Sequence, residues 1–122
     1  MLNNANWRVV HYETADGTCP VGEFLDGLTA KERAKVLAAI DLLEEEGPNL
    51  HRPYADTLKD GIHELRVRIS NLRYRVFYFF YDRYDIVLTH GFKKKVRKVP
   101  EREIKRACRY RKDWLGRDHE DA

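Results

Sequence analysis

Residues 61–92, GIHELRVRISNLRYRVFYFFYDRYDIVLTHGF, alternate with a period of two, and no other feature constrains the fold as much. Successive side chains of an extended strand point to opposite faces. Leu65, Val67 and Ile69 therefore share one face, while Glu64, Arg66 and Arg68 share the other. In the next run Tyr74, Val76, Tyr78 and Phe80 oppose Arg73, Arg75, Phe77, Phe79 and Tyr81. Ser70-Asn71-Leu72 and the region around Asp82-Arg83 read as hairpin turns, with Tyr84 to Thr89 as a third strand. Three antiparallel strands are expected, which excludes a purely helical fold and allows Arg66, Arg68, Arg73 and Arg75 to share a sheet face.

The flanks add helices. WRVVHY, residues 7–12, has strand composition and is followed by a polar stretch with a turn-like Asp16-Gly17 pair. Val21, Phe24, Leu25 and Leu28 recur at helical spacing. Thr29 and Glu32 then form a capping-box signature for a second helix, which runs to about Glu46 before the Gly47-Pro48 stop. Ala34, Leu37, Ala38 and Leu42 are read as its core stripe. Pro100 opens a last helix whose stripe is Ile104, Ala107, Cys108, Arg111 and Leu115, ending near Gly116. The order strand, helix, helix, three strands, helix predicts an α+β fold, with helices mainly on one side of the sheet and the arginine-rich face partly open. Residues 1–117 are expected to form one domain, followed by a short acidic tail over 118–122.

The net charge of +3 conceals a strong polarity along the chain. Residues 1–58 carry 5 Lys/Arg and 10 Asp/Glu, residues 59–117 carry 18 and 7, and residues 118–122 carry none and 3. A middle region at +11 favours a polyanionic partner, either nucleic acid or an acidic protein. Apolar types make up 43% of the chain, enough for an ordered core. No signal-peptide pattern opens the sequence and no apolar run is long enough to span a bilayer, so a cytoplasmic protein without a membrane partner is expected. Cys19 and Cys108 have no metal-ligand spacing and read as reduced structural cysteines.

The cations concentrate in two places: the strand arginines and the stretch GFKKKVRKVP, residues 91–100, which holds Lys93, Lys94, Lys95, Arg97 and Lys98. A lysine run alone is ordinarily solvated surface. Guanidinium groups fixed on a rigid sheet are a different matter, because preorganised donors suit a phosphate or a developing phosphorane. His90, at the end of the third strand, is a candidate base for a ribose 2′-OH; its alternative is a structural histidine. Glu64 is either a base or a clamp that orients Arg66 or Arg73. Phe77, Phe79 and Tyr81 stack bases if exposed and fill the core if not. The five histidines form no close ligand set, and there is no Cys-x-x-Cys, Walker glycine loop or dinucleotide fingerprint. No metal or other cofactor is required, since RNA can be cleaved by its own 2′-OH when cations stabilise the extra charge.

Four ordered segments, LKDGIHELRVRIS (58–70), YRVFYFF (74–80), LTHGFKKKVRKVP (88–100) and EIKRACRYRKDW (103–114), together resemble the phage-derived Gp49-like branch of the RelE/HigB toxin superfamily. The resemblance covers roughly residues 20–115. It implies a RelE-like small antiparallel β-sheet with two N-terminal helices and one C-terminal helix. It also implies a toxin that cleaves messenger RNA on the ribosome and is neutralised by a cognate antitoxin, acidic or helix-turn-helix-containing. By position, Lys59 matches the lysine before the glycine turn, Arg66 the arginine of the Glu-Leu-Arg element and Arg75 that of the Tyr-Arg strand. His90, Phe92, Lys93 and Lys94 match the His-Gly-Phe region with its lysines.

The leading expectation is a metal-independent endoribonuclease with Arg66, Arg75 and His90 at the chemistry. Lys59, Arg68, Arg73, Lys93, Lys94, Lys95 and Lys98 would hold the RNA. The alternatives are a non-catalytic RNA-binding or ribosome-binding protein, and a phage-derived interaction protein.

Overall fold

Ser70 and Asp82 turn the two hairpins, each in the left-handed region with φ of 57° and 58°. A computed structural model describes residues 7–117 and 119; the remainder of the acidic tail lies outside the described residues. The elements in chain order are β1 (Arg8–His11), α1 (Pro20–Asp26), α2 (Ala30–Glu46), a 3-10 turn (Gly47–Asn49), β2 (Ala55–Thr57), β3 (His63–Ile69), β4 (Leu72–Tyr81), β5 (Asp85–Lys94) and α3 (Glu101–Leu115). They form an α+β fold around one sheet with strand order β1-β5-β4-β3-β2. β3, β4 and β5 form the expected antiparallel ladder. The sheet is nevertheless mixed, because β1 adds to β5 in parallel. The three-residue β2, which pairs antiparallel with β3, is too short to carry a sequence pattern.

α2 begins as its sequence dictates, with Thr29 accepting from the Glu32 amide and Glu32 accepting from the Thr29 amide. Its buried face is different from the expected one. Val36, Ile40 and Leu43 enter the core, while Ala34, Leu37 and Ala38 face outward. Both stripes have helical spacing, and the bulkier residues win because they remove more apolar surface from water. With Leu65, Tyr74, Val76, Tyr78, Ile86 and Leu88 they form the larger core, between the sheet and helices α1 and α2. The opposite sheet face is covered by α3, whose Ile104 and Ala107 pack on Phe77, Phe79 and Val87. Helices therefore lie on both faces. Phe77 and Phe79 are filled-in core, unavailable for base stacking, and Leu115 of the expected α3 stripe is exposed.

β5 runs five residues beyond the expected Thr89 and contains a bulge. Val76 pairs with Gly91 but Tyr78 with Leu88, so three steps on β5 match two on β4. The extra residue reverses the side-chain parity. Leu88 belongs to the α1/α2 core, whereas Phe92 sits opposite Arg75 in the α3 core. Gly91 is required at the bulge because a Cβ there would lie 2.1 Å from the Phe24 ring of α1.

Candidate nucleic-acid interface

The hairpin register sets Arg66 directly opposite Arg75 and Arg68 directly opposite Arg73. Like charges facing each other across a ladder are destabilising, so each pair needs neutralisation or a ligand. The first pair has counter-charges. Glu64, only 2% exposed, accepts from Arg66 Nε at 2.9 Å and places its other oxygen 3.0 Å from Arg75 Nε. Asp56 on β2 accepts from Arg66 Nη2 at 3.0 Å and pairs with Arg52 at 3.1 Å. Arg52 is the main reason the Asp56 carboxyl is held below the usual range, with Arg66 adding to it. Glu64 is thus the clamp rather than a free base, and the arginines it orients are Arg66 and Arg75, not Arg73.

Arg75 is 4% exposed. Burial pulls its pKa down and Glu64 pulls it back; a guanidinium stays charged through shifts of this kind. Its Nη2 donates to the Val96 carbonyl at 3.1 Å and to the Arg97 carbonyl, tying the segment after β5 across the strands. The buried Val99 anchors the same segment at its far end. Arg75 Nη1 is buried with no hydrogen-bond partner, and leaving such a donor unsatisfied costs about 1–3 kcal/mol, more for a charged group.

The second pair is open. Arg68 donates only to the Ser70 carbonyl, at 3.3 Å, and among the described residues no carboxylate pairs with Arg68, Arg73 or Arg97. Arg66, Arg68, Arg73, Arg75 and Arg97 line one groove of about 630 Å³, together with Pro53, Tyr54, Val67 and Tyr74. Sequence reasoning missed Tyr54 as a member and left Arg97 out of the RNA-binding set. Arg97 stands in the cationic stretch 91–100, but its place in the groove, like that of Tyr54, depends on a chain return.

The lysines divide. Lys94 stands opposite Arg73 in the ladder and is exposed, as are Lys95 and Lys98 beyond it. Lys93, one residue earlier, falls on the other face, with Nζ 2.7 Å from Glu32 of α2 and 5.4 Å from the Tyr74 ring centroid. Lys93 and the Tyr74 hydroxyl hold the Glu32 carboxyl down to about 2. Lys59 pairs with Glu101 at the start of α3 and does not line the groove.

His90 is fully buried beneath α3. Its ring stacks on Phe77 with centroids 4.7 Å apart and meets Tyr110 edge-on. Nδ1 lies 3.1 Å from the Thr89 hydroxyl and Nε2 lies 3.0 Å from Glu103. Burial, with Arg106 and Arg109 adding to it, pushes the imidazole down to about 3 despite the Glu103 carboxylate. The ring is neutral at pH 7 and does not line the groove. The unfolded chain takes up this proton near the ordinary value of 6.5, so the folded state gains stability above that pH and loses it progressively as pH falls toward 3. Wild type is expected to lose melting temperature between pH 6.5 and 4 more steeply than His90→Gln. His63, also pushed down by burial, contributes to both alike. Equal slopes in pH-resolved thermal melts would contradict the assignment.

Among the described residues no group of three or more His, Cys, Asp or Glu side chains is placed to hold a metal ion. No helix among them is long and apolar enough to cross a membrane. Residues 23–112 match the family described as Phage derived protein Gp49-like (DUF891). That span contains the groove, both arginine pairs and most of α3, and the chain belongs to this family. No curated protein matches the chain.

Proposed function

We propose that this Gp49-like protein is the toxin of a type II toxin-antitoxin system, a cytoplasmic endoribonuclease of the RelE/HigB kind that cuts messenger RNA on the ribosome. The observation that carries the reading is the pair of arginine rungs walling one groove, the outer rung without a carboxylate and the inner one with the unpartnered buried Nη1 of Arg75. A phosphodiester supplies acceptor oxygens to the open outer rung.

In the proposed reaction the 2′-oxygen forms a bond to phosphorus while the bond to the 5′-oxygen breaks, leaving a 2′,3′-cyclic phosphate and a 5′-hydroxyl. Arg75 and Arg66 stabilise the charge that gathers on the non-bridging oxygens. Their own counter-ions Glu64 and Asp56 keep them in place, so little reorganisation is needed as the charge develops. Arg68, Arg73 and Arg97 hold the flanking backbone, and Lys94, Lys95 and Lys98 extend that track. Lys59 and Lys93, each held by a carboxylate outside the groove, act at its periphery. His90 positions α3 on the sheet; the 2′-OH proton passes to solvent, and solvent returns a proton to the departing 5′-oxygen. An acidic antitoxin segment covering the same cations would neutralise the protein.

A second reading, RNA or ribosome binding without cleavage, is favoured by one observation: His90, the histidine expected to serve as base, is sealed beneath α3. Both readings require the lysine track. A Lys94/Lys95/Lys98→Gln variant is expected to bind single-stranded RNA more weakly, and its slope of log affinity against log salt is expected to be shallower by roughly 0.7 for each phosphate that is no longer neutralised. Binding titrations at several salt concentrations measure this, and an unchanged slope would remove the lysines from the interface.

A further inference from the structure

We infer that Tyr54 is a base-stacking platform that makes the groove selective for unpaired RNA. The inference rests on the reading of the arginine groove as an RNA phosphate site and names the form of substrate it takes. Tyr54 lies on the groove wall and is 55% exposed, the most exposed of the large apolar side chains among the described residues. Among the described residues its hydroxyl has no hydrogen-bond partner and no aromatic ring covers it. Its backbone, by contrast, is fixed at both ends. The amide donates to the His51 carbonyl at 3.0 Å, and its own carbonyl accepts from the Arg66 amide at 2.8 Å. The ring is therefore mounted on the residue that carries one of the phosphate-facing guanidiniums.

An exposed aromatic on an anchored backbone beside a row of cations is the arrangement that binds single strands, because every base has a π-face and the phosphates supply the charge. A base inside a duplex is already stacked and cannot turn onto the ring. Tyr54 therefore holds the base of a nucleotide next to the phosphate on Arg66 and Arg75, with little preference among bases.

The test is binding of a short single-stranded RNA with a 2-aminopurine at each position in turn, read by affinity and fluorescence quenching. Tyr54→Ala is expected to weaken binding by about five- to 150-fold, the range for removing one stacked base, and to abolish the quench at one position. Tyr54→Phe should retain both. An oligonucleotide abasic at that position should bind wild type and Tyr54→Ala equally, and a blunt duplex should bind both equally and more weakly. Unchanged affinity and quenching in Tyr54→Ala would overturn the inference, as would a loss in Tyr54→Phe equal to that in Tyr54→Ala, which would make the interaction one of the hydroxyl. Arg73→Gln is measured alongside. If it weakens binding while Tyr54→Ala does not, stacking alone fails; if it binds as wild type does, the phosphate reading fails and the inference with it.

Discussion

Arg75→Ala protein is expected to cut RNA roughly 100-fold or more slowly than wild type at saturating ribosomes, the magnitude typical of losing one donor to a developing oxyanion. The effect is large because Arg75 is nearly sealed from water and its unpartnered Nη1 belongs to a groove-lining residue. Arg75→Lys retains a charge but not the planar fork that reaches Glu64 and two carbonyls at once. It should recover only part of the rate. Arg75→Ala also releases the 96–97 carbonyls, so thermal melts must accompany the kinetics. Full single-turnover cleavage by a folded Arg75→Ala protein would move Arg75 from chemistry to structure.

Glu64→Ala is expected to be the most destabilising single change in the groove, by about 3–5 kcal/mol, because it leaves the Arg75 guanidinium buried without its counter-charge. For a domain of this size that corresponds to a fall in melting temperature of roughly 10–20 °C. The cost comes from the orphaned charge rather than from reduced volume. Glu64→Leu combined with Arg75→Met, which removes both charges, should therefore be clearly more stable than Glu64→Ala. If the double variant melts as low as the single one, the ion pair is not what holds Glu64 in place.

The arginine face was legible from sequence because strand parity needs only alternation, and β3 from Glu64 to Ile69 and β4 from Arg73 to Val76 each alternate without interruption. Two features broke the same logic elsewhere. On α2 two apolar stripes compete, and spacing cannot weigh Val36, Ile40 and Leu43 against Ala34, Leu37 and Ala38; side-chain bulk decides. On β5 the bulge shifts parity between Leu88 and Gly91, which turns Phe92 into the α3 core and leaves Lys93 on the side of Glu32. A bulge leaves little compositional trace, so the lysines read as one cluster in sequence while the fold divides them. His90 illustrates the same limit. It reads as the end of the third strand, whereas β5 continues through it to Lys94, and its burial depends on α3 crossing that face from residues 101–115. Tyr54 and Arg97 join the groove through segments far apart in sequence, a placement that no local pattern encodes.

If the arginine groove holds an RNA phosphate and promotes attack by the neighbouring 2′-OH, the ends of the cut RNA must carry the signature of that chemistry. The decisive measurement maps the ends of messenger RNA after single-turnover incubation of the purified protein with translating ribosomes, wild type beside Arg75→Ala. Discrete cuts are expected, with a 2′,3′-cyclic phosphate upstream and a 5′-hydroxyl downstream, nearly absent with Arg75→Ala. Intact transcripts under conditions where the wild-type protein binds, or cuts bearing a 3′-hydroxyl and a 5′-phosphate, would refute the proposed role of the groove.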